Sequence, residues 1–562
     1  MIPRFNFAEA IAWQRSLAMG VVFAGALSII LILDRTGYPF PSSRAAVFEY
    51  LVRHQDIAGS VLLVCIAIGA YAPGTRSTVA QWTEWLGRHP WRVAAATFAA
   101  LCAAMFIIVH NHPLAGDEHL VLFQSRAFAA GHLTGEFPPD LLFRLIPAQY
   151  QWRWLVAAET SGKVAVIYWP GFSLLLAPFS LIGAPWICNP LLAALSLVLL
   201  SRIAARLTGS DQAGGWAMLF ALASPQFTAM ALSYFSMSAH LFLNLAFVRL
   251  LIEPGRRRLF AAGVVGSFAA VQSNPVPHLL FALPWVASIA RRPESRRDLA
   301  ALLAGYAPLS LLLGFGWWLF LRQLQQDVTL LPYAPDGEPL HRLANWLWYL
   351  LLEFRQVFAL PGEATVTSRI LEQIRLWAWA MPGLPLLAIA GWWLRRDLAP
   401  VRLLGLSLIC TLLGYLFVGF DQGYGWGARY VHPAWGALPV LGAIAMLQAP
   451  EAAQLRSYVA RLAVLSLICA TALRLFQIRL FIDEQLSLRP PLERAVRQIV
   501  FINPNPVFYT QDFLQNDPFL RDPVIFMMSR GRNRDYDEVI RRRFPGARLA
   551  YDGVNGQVWR LQ

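Results

Sequence analysis

The feature that most constrains this chain is a series of long apolar runs. A run of about 18 to 20 apolar residues crosses the roughly 30 Å hydrocarbon core of a bilayer as a helix. Such runs recur along the 562 residues, of which 57% are hydrophobic and 14% charged, against about 25% charged in soluble domains. The sequence therefore predicts an all-α polytopic membrane protein. It argues against a transmembrane barrel, whose strands alternate over about ten residues.

We predict about 13 transmembrane helices from these runs. The first is expected to remain uncleaved, because its apolar run is too long for a signal peptide. The predicted spans are 13–33, 57–72, 91–109, 185–207, 213–231, 236–252, 259–273, 275–291, 299–321, 376–394, 401–420, 431–448 and 458–480.

The net charge of +14 is typical of some nucleic-acid binders, but here the arginines cluster in loops on one side of the predicted spans. Membrane proteins place such loops in the cytoplasm, so we expect no nucleic-acid partner. The prediction is a multi-pass protein of the bacterial inner membrane, with a cytoplasmic N-terminus and a periplasmic C-terminal domain. Segments 110–184, 322–375 and 481–562 then face outward.

Three domains are predicted from this layout. Residues 1–90 form additional N-terminal spans, 91–480 form a transmembrane catalytic core, and 481–562 form a small external α/β domain. The last prediction rests on a polar composition interrupted by short apolar runs, with a helical stretch at 533–543 between two of them. These runs are 499–502, 507–510, 524–528, 547–551 and 557–561.

The first outward segment contains AGDEHLVLFQSRAFAAGHL, residues 115–133. Its apolar spacing predicts a helix over 117–130 that lies on the membrane surface, ending near Gly131. Asp117 and Glu118 occupy the first turn, where the helix dipole favours negative charge. Capping alone would explain two acids there, and a catalytic role is the alternative.

Two further interfacial elements are predicted in the outward segments. VAVIYWPGFSLLLAPFSLIG, residues 164–183, has Pro170, Gly171 and Pro178 too close together for a straight span. We interpret it as a broken interfacial helix or re-entrant segment, and a kinked span is the alternative. Another interfacial helix is predicted at 340–358.

The loop DQGYGWGARYVHP, residues 421–433, contains one cation, Arg429. An arginine at the membrane surface suits a phosphate, because its planar fork donates two parallel hydrogen bonds. The alternative is that Arg429 extends to a lipid headgroup. The five cysteines form no CxxC pair, so neither a metal cluster nor a disulfide framework is indicated.

Together these segments resemble the GT-C glycosyltransferases, specifically bacterial proteins similar to protein O-mannosyltransferases and lipid-A aminoarabinose transferases. GDEHLVLFQSRAFAAGHLTG resembles the first-loop motif, and GKVAVIYWPGFSLLLAPFSLIG resembles the helix that follows it, with Trp169 in place of a proline. GARY, 427–430, is similar to a Gly-Pro-Arg-Tyr turn, with Ala428 in place of proline. At the level of architecture the resemblance extends over most of the chain.

The resemblance implies transfer of a sugar from a polyprenyl-phosphate carrier to an acceptor hydroxyl on the periplasmic face, with inversion. Asp117 would be the general base, and Glu118 would orient the acceptor or hold a cation. Arg429, with Tyr430 and Lys163, would bind the donor phosphate. The predicted pocket residues are Tyr168, His119, Arg126 and His278, although buried histidines more often serve packing. Whether a divalent cation is needed stays open, and no other cofactor is indicated.

The expected partners are membrane lipids, the lipid-linked sugar and a glycan, glycolipid or protein acceptor. Two other classes fit the sequence. A lipid or solute transporter or flippase would place charges within its spans or show inverted repeats; here few charges lie within the predicted spans and no repeat is clear. A non-catalytic membrane scaffold would not need Asp117.

Overall fold

The computed structural model is mostly helical and has two small β-sheets. It describes residues 7–36, 47–71, 79–147, 150–151, 154–291, 296–326, 351, 355, 357–419, 422–423, 425–448, 453–493, 496–504 and 510–561. The helix predicted at 340–358 and the strand predicted at 507–510 lie mostly outside these residues.

Apolar helices make up the larger part of the described chain. Six of them are long and apolar enough to cross a membrane, and a seventh qualifies if the bent pair Arg429–Trp435 and Ala437–Gln448 is one span. Helices occupy all the predicted spans, and the count of 13 is not confirmed. The chain is a multi-pass helical membrane protein. The six are Ala12–Arg35, Val47–Gly69, Pro90–Ile107, Pro185–Thr208, Arg296–Gln325 and Gln454–Ser487.

Shorter helices fill the space between these six. They include Val79–Arg88, Asp211–Leu222, Pro225–Ala231, Met237–Leu251, Arg256–Ala270, Val276–Ala290, Glu363–Ala378, Leu384–Arg395 and Ala399–Tyr415. Small residues let some of these helices approach closely, as is typical of helix packing in membranes. A Cβ on Gly263 would lie 2.1 Å from the carbonyl oxygen of Leu302, and one on Gly305 would lie 2.2 Å from that of Phe260. These two positions therefore require glycine.

In its described residues, the first predicted external segment contains the helices Gly116–Ala129 and Gly171–Leu181, short helical turns at Pro139–Leu141 and Leu142–Leu145, and a three-stranded sheet. The helix Gly116–Ala129 agrees with the prediction, and Gly131 follows it with a φ of +80°. The segment at 164–183 differs from the prediction, because it begins as a strand and only Gly171–Leu181 is helical. This strand lies between the other two, and its apolar residues Val164 to Val166 are all buried, a setting that suits β-branched side chains. The strands, in the order β1-β3-β2, are β1 Gly135–Glu136, β2 Leu155–Ala157 and β3 Lys163–Val166.

The C-terminal residues form a mixed four-stranded sheet in the order β5-β4-β7-β6. Its central strand β4 is buried on both faces, because Ile499 and Phe501 pack on the first external segment while Val500 and Ile502 pack on the opposite side. The predicted helical stretch is present as Arg532–Asp535, Tyr536–Ile540 and Arg541–Arg543. The strands are β4 Gln498–Ile502, β5 Val524–Met528, β6 Arg548–Gly553 and β7 Gly556–Arg560.

Candidate active site

Asp117 lies in the first turn of the helix Gly116–Ala129 and is about one third exposed. Its two carboxylate oxygens have different partners. Oδ1 accepts a hydrogen bond of 2.8 Å from the hydroxyl of Tyr168, and Oδ2 lies 3.2 Å from Nη1 of Arg429. The structure thus joins three residues that the sequence singled out in three separate segments.

Arg429 is buried, with 8% of its side chain exposed. Its Nη2 donates to the carbonyl oxygen of Gln422 at 2.5 Å, and its guanidinium lies 4.3 Å from the ring centre of Phe235, a cation–π contact. The side chain therefore does not extend outward to a lipid headgroup, which was the alternative. The Nη1 group of its guanidinium is directed at the carboxylate of Asp117.

The loop that contains Arg429 is held by two glutamines. We call residues 422–431, apart from residue 424, which is outside the described part, the Arg429 loop. Gln422 accepts from the backbone N–H of Arg429 at 2.9 Å and donates to the carbonyl of Gly427 at 2.8 Å. Gln226 accepts from the N–H of Ala428 at 2.8 Å and donates to its carbonyl at 3.3 Å.

Gly427 is required for this close approach. Its φ is +62°, and a Cβ there would lie 1.8 Å from Oε1 of Gln226. A side chain would both strain the backbone and displace the glutamine. Gly427 therefore makes room for a brace from another helix, Pro225–Ala231.

Glu118 is adjacent to Asp117 but is directed into the protein, with 2% exposure. Oε1 accepts from the N–H of Tyr234 at 2.8 Å, and Oε2 accepts from those of Leu114 and Ala115 at 3.1 and 3.4 Å. Burial raises the pKa of Glu118 to about 7, although the three N–H groups and Arg429 act in the opposite direction. These contacts anchor the start of the helix and leave no side open to an acceptor or a cation, so the predicted catalytic role has no geometric support here.

Tyr168 and Tyr430 contact different members of the pair: Tyr168 bonds to Asp117, and the ring centre of Tyr430 lies 5.6 Å from the guanidinium of Arg429. Burial, followed by the adjacent Asp117 carboxylate, raises the pKa of Tyr168 well above its ordinary value, so its hydroxyl stays protonated and donates to Asp117. Tyr430 stacks on Tyr415 with ring centres 4.8 Å apart and planes inclined by 9°. Tyr168 therefore joins the site as predicted, whereas Tyr430 supports the loop.

Four other predicted site residues, one for the donor phosphate and three for the pocket, do not contact Asp117 through their side chains in the described structure. Lys163 is exposed on β3, opposite Glu136, and the described contacts do not join it to Arg429. Arg126 pairs with Asp522 at 3.2 Å. Side chains on one face of a helix recur every three to four residues, so Arg126, which is nine positions from Asp117, faces the C-terminal sheet domain instead.

His119 and His278 serve packing in this structure. His119 lines a small cavity of about 30 Å³ with Tyr150 and Asp512, and burial lowers its pKa to about 3. His278 lies between Asn244, 2.6 Å from its Nδ1, and Tyr306, 2.7 Å from its Nε2. The packing interpretation of these histidines therefore describes them better than a pocket role.

Several residues that position the site were not singled out from the sequence. Gln226 and Gln422 brace the Arg429 loop, and the backbone N–H of Tyr234 holds Glu118. A glutamine inside an apolar run is a recognisable signal, since a buried amide needs hydrogen-bond partners. Nothing in the sequence indicated which partners Gln226 would find.

The arrangement combines a partly exposed carboxylate with a buried cation. Such a carboxylate can accept a proton from a hydroxyl, and the guanidinium can bind a phosphate through two N–H groups. Among the residues that the structure describes, no group of three or more His, Cys, Asp or Glu side chains could hold a metal ion.

The chain was also compared with known proteins. No family model matches, and no curated protein matches. Among solved structures, ArnT from Cupriavidus metallidurans bound to undecaprenyl phosphate is similar, with 13% identity, a TM-score of 0.49, and coverage of 83% of this chain and 97% of that chain. Its apo state gives the same identity and coverage with a TM-score of 0.45.

ArnT is a lipid-A aminoarabinose transferase, one of the kinds of protein that the sequence resembles. At these identities and TM-scores the likeness does not by itself indicate an activity. The function of this chain is therefore inferred from the geometry around Asp117.

Proposed function

We propose that this protein is a membrane glycosyltransferase that moves a sugar from a polyprenyl-phosphate donor to an acceptor hydroxyl. The proposal extends to a periplasmic active site, a cytoplasmic N-terminus and inversion at the anomeric carbon. Its main support is the Asp117–Arg429 pair, because it sets a proton acceptor beside a phosphate-binding cation at 3.2 Å.

The surroundings of the pair suit a lipid-linked donor. Arg429 precedes an apolar helix of the bent pair, Ala437–Gln448, so its guanidinium is expected at the level of lipid headgroups. A polyprenyl phosphate would place its phosphate at that level and its chain in the bilayer. The arginine-rich loops on the opposite side of the predicted spans favour an outward-facing site.

In the proposed reaction the donor phosphate takes Arg429 away from Asp117. The guanidinium then binds two phosphate oxygens, and Asp117 keeps one oxygen fixed by Tyr168 while the other becomes free to accept a proton. The acceptor oxygen attacks C1 of the sugar as its proton passes to Asp117. The bond between C1 and the phosphate oxygen breaks, and the electron pair leaves with polyprenyl phosphate, whose charge Arg429 stabilises.

The test is release of polyprenyl phosphate by purified protein from a panel of polyprenyl-phosphate sugars, with a membrane extract as the source of acceptors. We expect Asp117→Asn to lower the rate by about 10² to 10⁴ while donor binding is retained. The matched control is Asp522→Asn, because Asp522 forms an arginine pair of the same length, 3.2 Å, at a distance from the site.

Equal rates for wild type and Asp117→Asn would remove Asp117 from the reaction. Absence of release by the wild type with the whole panel would contradict the transferase. In that case the transporter and scaffold classes would be tested next, by lipid and solute movement in proteoliposomes.

A further inference from the structure

A second charged cluster lies deep in the protein and is centred on Asp56. Its Oδ2 is 3.0 Å from Nε of Arg375, and its Oδ1 is 3.0 Å from Nη2 of Arg474. The indole N–H of Trp379 donates to Oδ1 at 2.6 Å. All four side chains are fully buried or nearly so, and one carboxylate thus faces two guanidinium groups.

The backbone conformation and a nearby glycine around Asp56 accommodate this cluster. Asp56 is the last residue of a π-helical turn, Val52–Asp56, inside the helical segment Val47–Gly69. Three residues later, a Cβ on Gly59 would lie 2.0 Å from Nη2 of Arg474. Rare π-turns often mark functional positions in helices, and here the turn presents Asp56 to two other helices, Glu363–Ala378 and Thr471–Ser487.

The cluster reaches the candidate active site through Arg375. While Nε pairs with Asp56, Nη1 donates to the carbonyl oxygen of Gly425 at 2.8 Å. Gly425 has a φ of +156°, and a Cβ there would lie 3.1 Å from Cδ and 3.3 Å from Nε of Arg429. The side chain of Arg429 therefore rests on the residue whose carbonyl Arg375 holds.

We propose that Asp56 is a positioning residue for Arg429, acting through Arg375 and Gly425. Asp56 pairs with both Arg375 and Arg474 and so holds these two like charges side by side, in the arrangement in which Arg375 donates to Gly425. Removing one partner from a buried ion pair leaves charge without compensation, so Arg375 would move away from Arg474 and from Gly425. The N-terminal helices would then be part of the active-site machinery. What Arg429 binds rests on the proposed function.

The test compares Asp56→Asn with Asp535→Asn. Asp535 is also buried and pairs with a buried arginine, Arg144, at 2.6 Å, but it does not contact the Arg429 loop. Hydrogen exchange of peptides covering 422–431 measures the loop itself. Titration of the detergent-solubilised protein with a short-chain polyprenyl phosphate measures the consequence for binding.

For Asp56→Asn we expect about tenfold faster exchange in the Arg429 loop and about tenfold weaker binding of polyprenyl phosphate. For Asp535→Asn we expect neither. If Asp56→Asn does not fold, Arg375→Lys replaces it, because a single ammonium cannot hold Asp56 and Gly425 in the same geometry, and the same changes are expected.

Unchanged exchange in the loop of a folded variant would overturn the proposal, as would equal increases in the Asp56 and Asp535 variants. Faster exchange in the loop, combined with no binding of polyprenyl phosphate by the wild type, would support the positioning role and contradict the proposed function. The two proposals can therefore fail separately.

Discussion

Asp117 and Arg429 form one pair, but the two regions that supply them are built differently. Asp117 lies on a regular helix, whose backbone hydrogen bonds are made within the helix and whose start is held by Glu118. Arg429 lies at the junction of an irregular stretch and the short helical turn Arg429–Val431. The irregular stretch is held by side chains from elsewhere in the chain, Gln226 and Arg375.

This difference indicates which region is more sensitive to distant changes. A helix keeps its geometry when one tertiary contact is lost, because most of its backbone groups are already paired. A loop whose backbone groups are paired by remote side chains loses its geometry when one of those side chains is removed. We therefore expect the position of Arg429 to depend on more residues than the position of Asp117.

Apart from Asp117→Asn, the largest expected effect is at Arg429 itself. Arg429→Gln should lower turnover by about 10² to 10³ and weaken binding of polyprenyl phosphate, because the leaving phosphate loses its cation. Arg429→Lys should retain part of the binding that Arg429→Gln loses, since lysine keeps the positive charge but lacks the planar group that donates two parallel hydrogen bonds. Steady-state rates measure the turnover, and titration with polyprenyl phosphate measures the binding. An equal loss in Arg144→Gln, a buried arginine away from Asp117, would indicate general destabilisation instead.

Glu118 should make stability depend on pH. Its pKa is raised in the folded protein to about 7 from an ordinary value of 4.5, so the folded state binds the proton more tightly than the unfolded state does. The contribution of Glu118 to stability is then full below pH 4.5 and falls as the pH rises to about 7, by roughly 3 kcal/mol. Denaturation in detergent across this range measures it.

In Glu118→Gln this slope should disappear, because the amide does not titrate. The variant should be less stable overall, since an amide has one acceptor oxygen for the three backbone N–H groups that Glu118 holds. A difference in stability between wild type and Glu118→Gln that stays constant from pH 4.5 to 7 would contradict the raised pKa, and taking this difference cancels the opposite contribution of buried histidines such as His119.

Two glutamines provide a direct comparison of the regions. Gln226 braces Ala428, and Gln124 makes the same two kinds of bond on the Asp117 side, to the carbonyl of Leu133 at 2.9 Å and from the N–H of Val166 at 3.0 Å. Each Leu substitution removes the partner of two backbone groups, and leaving a buried one unpaired costs about 1 to 3 kcal/mol. Gln226→Leu also removes the contact of Gln226 with Nδ1 of His432 at 3.2 Å.

We expect about tenfold lower turnover for Gln226→Leu and about twofold for Gln124→Leu, with similar losses in thermal stability. The reason is that the helix keeps Asp117 in place without Gln124. Equal losses of turnover would show that the helix offers no advantage over the loop.

The smallest expected effect is at Asp512, in the C-terminal domain. Its Oδ1 accepts from the N–H of Gly116 at 3.0 Å, at the start of the helix that presents Asp117. Asp512→Ala should lower turnover by about two- to fivefold, the scale of losing one helix-capping contact. Asp522→Ala is the control, since Asp522 forms an exposed pair. No difference between the two variants would mean that the C-terminal domain does not position Asp117.

The parts of the fold that were predictable have local causes. Apolar spacing within a few turns predicts the helix Gly116–Ala129 and its end near Gly131. Short apolar runs predict the strands β4 to β7. The start of the segment at 164 was predicted as helix and is a strand, because its pairing with β1 and β2 decides its conformation. Apolar periodicity alone does not separate these two cases.

The candidate site was predictable only in part. Asp117 and Arg429 were singled out by their segments, but Lys163 and Arg126 were chosen by proximity in sequence and lie elsewhere. Gln226 and Asp56 were missed, because their roles depend on partners in distant helices. Asp56 contacts Arg375 and Arg474, and neither of those residues was a candidate from the sequence.

The sequence by itself determined that the chain is a helical membrane protein, where most of its helices lie, and which carboxylate begins the helix after the third span. Each of these follows from apolar length, helix-start chemistry or strand alternation within a short window. Only the tertiary structure decided that Asp117 meets Arg429, which is 312 positions away, and that Glu118 is turned inward. Such contacts depend on how the helices pack, and packing is set by the shape and close approach of many side chains at once.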